Sequence, residues 1–164
     1  SVEGNNLETY PNTSKKLSQP LTRDIGINKE YDYTSLKDLT KVTIYYQEVI
    51  DEETYYVPVT KYLNNEDNKD KINIIVEELT TSYIYEDNLR SILNENVELI
   101  GKEFVDNDLL ILDFNNALFD NDSKIKEEVL YMLSSSAFAN YDVNTVSFRV
   151  DGKEVNNVKR SSLN

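Results

Sequence analysis

The sequence predicts an α+β domain: a mixed, mainly antiparallel sheet with two helices packed on one face, in the order β-β-α-β-β-α-β. Three observations predict it. Apolar and polar residues alternate in Val42–Gln47 and Thr145–Asp151, which gives strands one dry and one wet face. Apolar residues recur at helical spacing in two stretches, Ile72/Ile75/Val76/Leu79 and Ile125/Val129/Met132/Leu133/Ala137. Short polar turns at Asp51-Glu52-Glu53 and Asn107-Asp108 separate neighbouring strands, so hairpins dominate, and Asp151-Gly152 closes the last strand.

In chain order, residues 1–40 are polar around Pro11 and Pro20 and show no sustained period; a largely disordered tether is expected. The foldable domain is expected over 41–155. Val42–Gln47 and Thr54–Tyr62 form the first hairpin. Pro58 cannot donate to a ladder, so the second strand is expected at a sheet edge or to carry a bulge. A polar connector, Asn64–Asp70, leads to a helix over Ile72–Leu79. Thr80–Asn88 reads as irregular, and Leu89, Ile92 and Leu93 as a short helical turn. Val97–Val105 and the strongly apolar Leu109–Phe114 are the third and fourth strands. The second helix is expected over Lys124–Asn140, capped by Asp122 or Ser123. Val146, Phe148 and Val150 form the dry face of the fifth strand, against the helix bearing Val129 and Leu133. Asp151-Gly152 closes it, because glycine takes positive φ at no steric cost. A frayed polar tail is expected over 156–164.

Composition excludes several functions. The 164 residues carry 17 basic and 30 acidic side chains, a net charge of −13. Phosphate backbones and anionic headgroups need clustered lysine and arginine, so neither nucleic acid nor charge-driven lipid docking is expected. Cysteine and histidine are absent, which removes thiolate chemistry, zinc-thiolate sites, and the commonest general base and metal ligand. No apolar run approaches the roughly 20 residues that span a bilayer. A start at Ser1 without a signal peptide is expected of a trimmed or mature chain.

No constellation carries catalysis, a cofactor or a metal. Asp106-Asn107-Asp108 and Asp120-Asn121-Asp122 resemble calcium loops only superficially. Counted from Asp120, the glycine and glutamate such a loop needs are Ile125 and Tyr131. Glu77-Glu78 and Glu127-Glu128 are helix neighbours that do not face each other. Ser134, Ser135 and Ser136 lack a nucleophile elbow. The remaining candidates are surfaces for interaction: Tyr46 and Tyr56 on the hairpin, as part of an aromatic platform, and Ser134–Ser136, small enough to let a neighbour approach the helix.

These segments resemble the GerM (GerMN) domain of sporulation and spore germination lipoproteins. The resemblance rests on Val42-Thr43-Ile44-Tyr45-Tyr46 and on Val57-Pro58-Val59-Thr60. It continues through the helix over Ile72–Leu79, the leucine-serine pattern Leu89-Arg90-Ser91-Ile92-Leu93, Leu112-Asp113-Phe114 and Val150-Asp151-Gly152-Lys153. It covers about residues 41–155. Lys61 stands where arginine is usual, Thr80-Thr81-Ser82 where Gly-Pro is common, and Ser134–Ser136 in a helix often rich in threonine. The resemblance implies a fold similar to ring-building motifs. It also implies a non-enzymatic interaction module outside the cytoplasmic membrane, on a lipid anchor facing the cell wall or intermembrane space. Its partners would be proteins of an envelope or sporulation complex. The alternative it carries is a peptidoglycan- or glycan-binding module that accompanies cell-wall remodelling and uses the hairpin tyrosines. The isolated chain is expected to be monomeric, since like charge opposes self-association.

Overall fold

The computed structural model describes residues 39–81, 84–86 and 89–163. Among these residues, eight strands and two α-helices follow one another as β1 (Leu39–Ile50), β2 (Glu53–Asn64), α1 (Lys71–Thr81), β3 (Ile84–Glu86), β4 (Leu89–Arg90), β5 (Leu99–Val105), β6 (Leu109–Phe114), α2 (Glu127–Asn140), β7 (Thr145–Val150) and β8 (Lys153–Lys159). Single 3-10 turns lie at Asn116–Leu118 and Arg160–Leu163. The class is α+β, as predicted, with the strands divided between two four-stranded sheets of order β2-β1-β4-β3 and β5-β6-β7-β8. β2 is an edge strand, one of the two arrangements Pro58 allows.

In the second sheet β5–β6 and β7–β8 are antiparallel hairpins, and β6–β7 is a parallel pair joined through α2. A parallel pair cannot close through a tight turn, so the chain between Phe114 and Thr145 has to cross back over the sheet. Alternation then buries Leu110, Leu112 and Phe114 of β6 together with Val146, Phe148 and Val150 of β7. The Phe114 and Phe148 rings stack at 6.2 Å between centroids.

Several elements depart from the sequence expectation. Leu89-Arg90 pairs with Gln47-Glu48 as a strand, not as a helical turn. α2 begins at Glu127 with Lys126 at its cap position, and no side chain caps it. The Asp120 carboxylate instead accepts the amides of Asp122 and Lys124, which holds Ser123 in a turn at φ 59 and delays the helix. Ile125 is buried ahead of that start. Residues 156–159 continue β8, and Arg160 anchors the end of the strand: its guanidinium donates to Val143 O and Tyr141 O at 2.9 Å each and lies over the Phe138 ring. The strand was hidden because its register skips Val155, between Arg149–Glu154 and Phe148–Asn156, and a bulge destroys alternation. Of the tether expected over residues 1–40, Leu39 and Thr40 belong to β1, while residues 1–38, with Ser82, Tyr83, Asp87, Asn88 and the terminal Asn164, lie outside the described residues.

The described residues fall into two compact units. One comprises 39–42 and 59–69. In it Asn65 accepts the Lys69 amide and donates to Lys69 O and Thr40 Oγ1, closing the loop after β2. The other comprises 43–58 and the described residues from Asp70 on, and holds both helices and the whole second sheet.

Candidate functional surface

The middle of α2 determines which predicted site residues reach solvent. All seven residues from Met132 to Phe138 are buried, so the helix is enclosed on every side there and not amphipathic as its apolar spacing implied. Ser134–Ser136 therefore present no external surface. Ser136 Oγ donates to Met132 O one turn back, at 2.8 Å, and accepts the Tyr45 amide at 2.9 Å.

That second bond belongs to a seam. Thr43, Tyr45 and Gln47 turn their backbone groups to one edge of β1. β4 pairs with that edge only at Gln47 and Glu48. Where β4 is missing, α2 supplies the partners with side chains. Asn140 Oδ1 accepts the Thr43 amide at 3.0 Å and its Nδ2 donates to Thr43 O at 2.7 Å, so one side chain reproduces both bonds of a strand neighbour. Nδ2 also holds Ser136 O. Sequence reasoning placed Asn140 only as the end of a helix. Its amide, next to a serine one turn earlier on a helix without charged residues after Glu128, was the available signal.

Of the hairpin tyrosines, Tyr46 is fully buried and forms core, not platform. Tyr56 is half-buried and packs on Tyr131 of α2 at 4.4 Å between centroids. Burial raises the Tyr56 phenol above its ordinary 10.0; a hydrogen bond from Gln47 opposes the rise, and Glu128, Tyr131 and Glu127 reinforce it. Tyr45 is raised chiefly by burial and further by Tyr131. Both phenols are neutral at physiological pH and serve as hydrogen-bonding aromatic surface, not as acids or bases. Tyr131 is the partner the sequence did not single out.

The other motif residues also hold the fold together. Ser91 Oγ donates to Leu79 O at 2.6 Å, near the end of α1, and accepts the Leu93 amide, which accounts for the leucine-serine pattern. Asp113 Oδ1 accepts the Gly152 amide and Phe114 O accepts the Asp151 amide, so the motif ending β6 locks the turn after β7. Tyr141 Oη accepts the Ile72 amide, satisfying a donor in the first turn of α1. Among the described residues no cluster of three or more acidic side chains is placed to hold a metal ion. A depression of about 220 Å³ lined by Leu93, Val97, Leu118, Asp120, Lys126 and Val129 is smaller than the roughly 300–1,000 Å³ usual for ligand pockets.

Residues 43–156 match the family described as Germane: Sporulation and spore germination. Over 170 aligned residues the chain is 33% identical to the spore germination protein GerM of Bacillus subtilis (strain 168), covering 99% of this chain and 46% of that protein. It thus spans about half the length of the curated relative it matches. Its fold is similar to the tandem GerMN domains of the sporulation protein GerM from Bacillus subtilis, with a TM-score of 0.69 and 29% identity over 84% of this chain and 48% of that one. The first GerMN domain of the same protein shares the fold at a TM-score of 0.55 and 17% identity, over 71% of this chain and 86% of that one.

Proposed function

The chain belongs to the Germane family of sporulation and spore germination domains, and from that premise we propose that it is a non-enzymatic interaction module of the spore-forming cell envelope. The observation that carries this reading is the family match itself, which runs over residues 43–156 and so from β1 into β8. The way several polar side chains are used supports it. Ser91, Asp113, Ser136, Asn140 and Tyr141 all bond backbone groups of neighbouring elements, which is what a rigid recognition scaffold asks of them. The module works outside the cytoplasmic membrane on a lipid anchor, and its partners are proteins of a sporulation complex. Among the described residues no helix is long and apolar enough to cross a membrane, which fits anchoring by other means.

The test is complementation. Spore-forming cells that lack the endogenous gene regain heat-resistant spores when given the chain with its leader, and do not when it is confined to the cytoplasm. Equal rescue by the cytoplasmic form would overturn the location. Turnover of a cell-wall substrate by the pure chain would overturn the non-enzymatic reading. The Tyr56–Tyr131 pair favours a second reading, peptidoglycan binding through stacked rings. It predicts that purified peptidoglycan sediments the domain and that Tyr56→Ala abolishes this without unfolding it.

A further inference from the structure

Among the described residues, three turns at the ends of hairpins invite comparison. Each has positive φ at both central residues: Asp51 and Glu52 at 51° and 70°, Asp106 and Asn107 at 53° and 56°, Asp151 and Gly152 at 51° and 84°. Asparagine and glycine take that conformation readily, and they follow the aspartate in the β5–β6 and β7–β8 turns. In the β1–β2 turn the second residue is Glu52, a poor choice for the backbone. The same tip exposes large apolar side chains: Val49 is 43% exposed, Ile50 46% and Tyr55 46%. The Tyr55 hydroxyl is drawn to Glu53 at 3.2 Å, which restrains the ring at the tip. The charge there has one sign. Between Lys41 and Lys61 the chain carries Glu48, Asp51, Glu52 and Glu53 and no lysine or arginine.

We propose that the β1–β2 tip is the docking element of this module, and that it inserts Ile50 and Tyr55 into an apolar pocket rimmed by lysine or arginine on a partner protein. The inference rests on the interaction-module reading and deepens it by assigning the surface and the partner's chemistry. Apolar anchors ringed by charge of one sign are recognised by an apolar site ringed by the opposite sign, and that complementarity selects against acidic partners and anionic lipid. Glu52 adds negative charge at the point of insertion, where asparagine or glycine would relieve the turn but leave the rim unmatched.

The probe is a synthetic amphipathic helix of leucine and lysine carrying a fluorescent label, titrated with the whole chain at physiological salt and read by anisotropy. The native chain binds it, and does not bind the same helix with glutamate in place of lysine or serine in place of leucine. Ile50→Ser, Tyr55→Ser and the pair Asp51→Asn/Glu52→Gln each weaken binding by about tenfold. Glu95→Gln and Asp142→Asn, which remove equal charge from other exposed loops, change it less than twofold. Equal losses at all these sites, or no binding of the leucine-lysine helix, overturn the proposal. The complementation assay separates this failure from that of the parent reading. Folded tip variants that restore spores as well as the native chain overturn the tip alone, whereas failure of the native chain to restore them overturns the module reading itself.

Discussion

β7 and β1 are satisfied by different means. β7 lies between β6 and β8, so its amides and carbonyls face other backbones on both edges. Short of proline, no side-chain change in a neighbour removes those bonds, and what β7 can lose is packing. Over Thr43–Tyr45, β1 has a strand partner on one edge and the side chains of Ser136 and Asn140 on the other. There a single substitution takes away hydrogen bonds that a sheet would have supplied redundantly. The region made of backbone pairs tolerates polar change and is sensitive to volume; the region made of side-chain bonds is the reverse.

The largest effect should come from emptying the core of the strand-paired region. Phe148 is fully buried and stacks on Phe114, so Phe148→Ala should cost about 3–5 kcal/mol in urea melts. Phe148→Leu, which keeps most of the volume, should cost clearly less. Equal losses would mean that volume does not control this region.

Next comes the seam. Asn140→Ala removes the bonds to the Thr43 amide and carbonyl and should cost about 2 kcal/mol. Asn140→Asp should be nearly as damaging. A carboxylate can still accept the Thr43 amide but cannot donate to Thr43 O and Ser136 O as the native amide does. Full stability in the Asp variant would show that the single accepted bond is what matters.

A smaller change of opposite sign is expected at the hairpin tip. Glu52 sits at φ 70, and Glu52→Gly relieves the left-handed strain at some cost in chain entropy, for a net gain of about 1 kcal/mol. The thermal midpoint should rise while binding of the leucine-lysine helix weakens. A variant that gains stability and keeps its binding would separate the turn's strain from any recognition role.

The same contrast explains which elements the sequence revealed. β6, β7 and α1 were legible because their structure follows from local pattern: unbroken apolar runs or alternation, and apolar residues at helical spacing. Pro58 narrowed β2 to an edge position or a bulge, and the sheet order settles it as the edge. β4 was missed because its two residues become a strand only by pairing with Gln47 and Glu48, a distant event that leaves no period. The start of α2 was misplaced because Asp120, and not the capping candidates Asp122 or Ser123, organises the turn before it. Tyr46 alternates onto the buried face of β1, and the surface expected of Ser134–Ser136 was misjudged for a separate reason. Small hydroxyl residues on a helix look like an exposed face in sequence, and only the packing of β1 along that helix shows that they are enclosed. Asn140 was passed over on similar grounds, since its two bonds cross 97 positions of chain.

The most selective prediction concerns alkaline pH, where the two regions should part company. β7 contains no tyrosine and no acid. Beside it in the same unit, the seam region holds Tyr45, whose phenol burial and Tyr131 raise above 10.0. In the unfolded chain that phenol ionises near its ordinary value, while in the folded protein it keeps its proton to higher pH. The folded state then binds more protons than the unfolded one, so stability falls as pH rises. The contribution is fully present below pH 10.0 and is lost as the pH climbs from there through the folded value. Urea midpoints measured across that range should decline for the native chain. Tyr45→Phe should flatten the decline, leaving the part due to Tyr56 and Tyr141, raised chiefly by burial, and to Tyr55, raised chiefly by its hydrogen bond to Glu53. Phe148→Leu should lower the whole curve without changing its slope, because the group it alters does not titrate. If Tyr45→Phe and the native chain decline in parallel, the half-buried seam tyrosine is not what links proton binding to folding here.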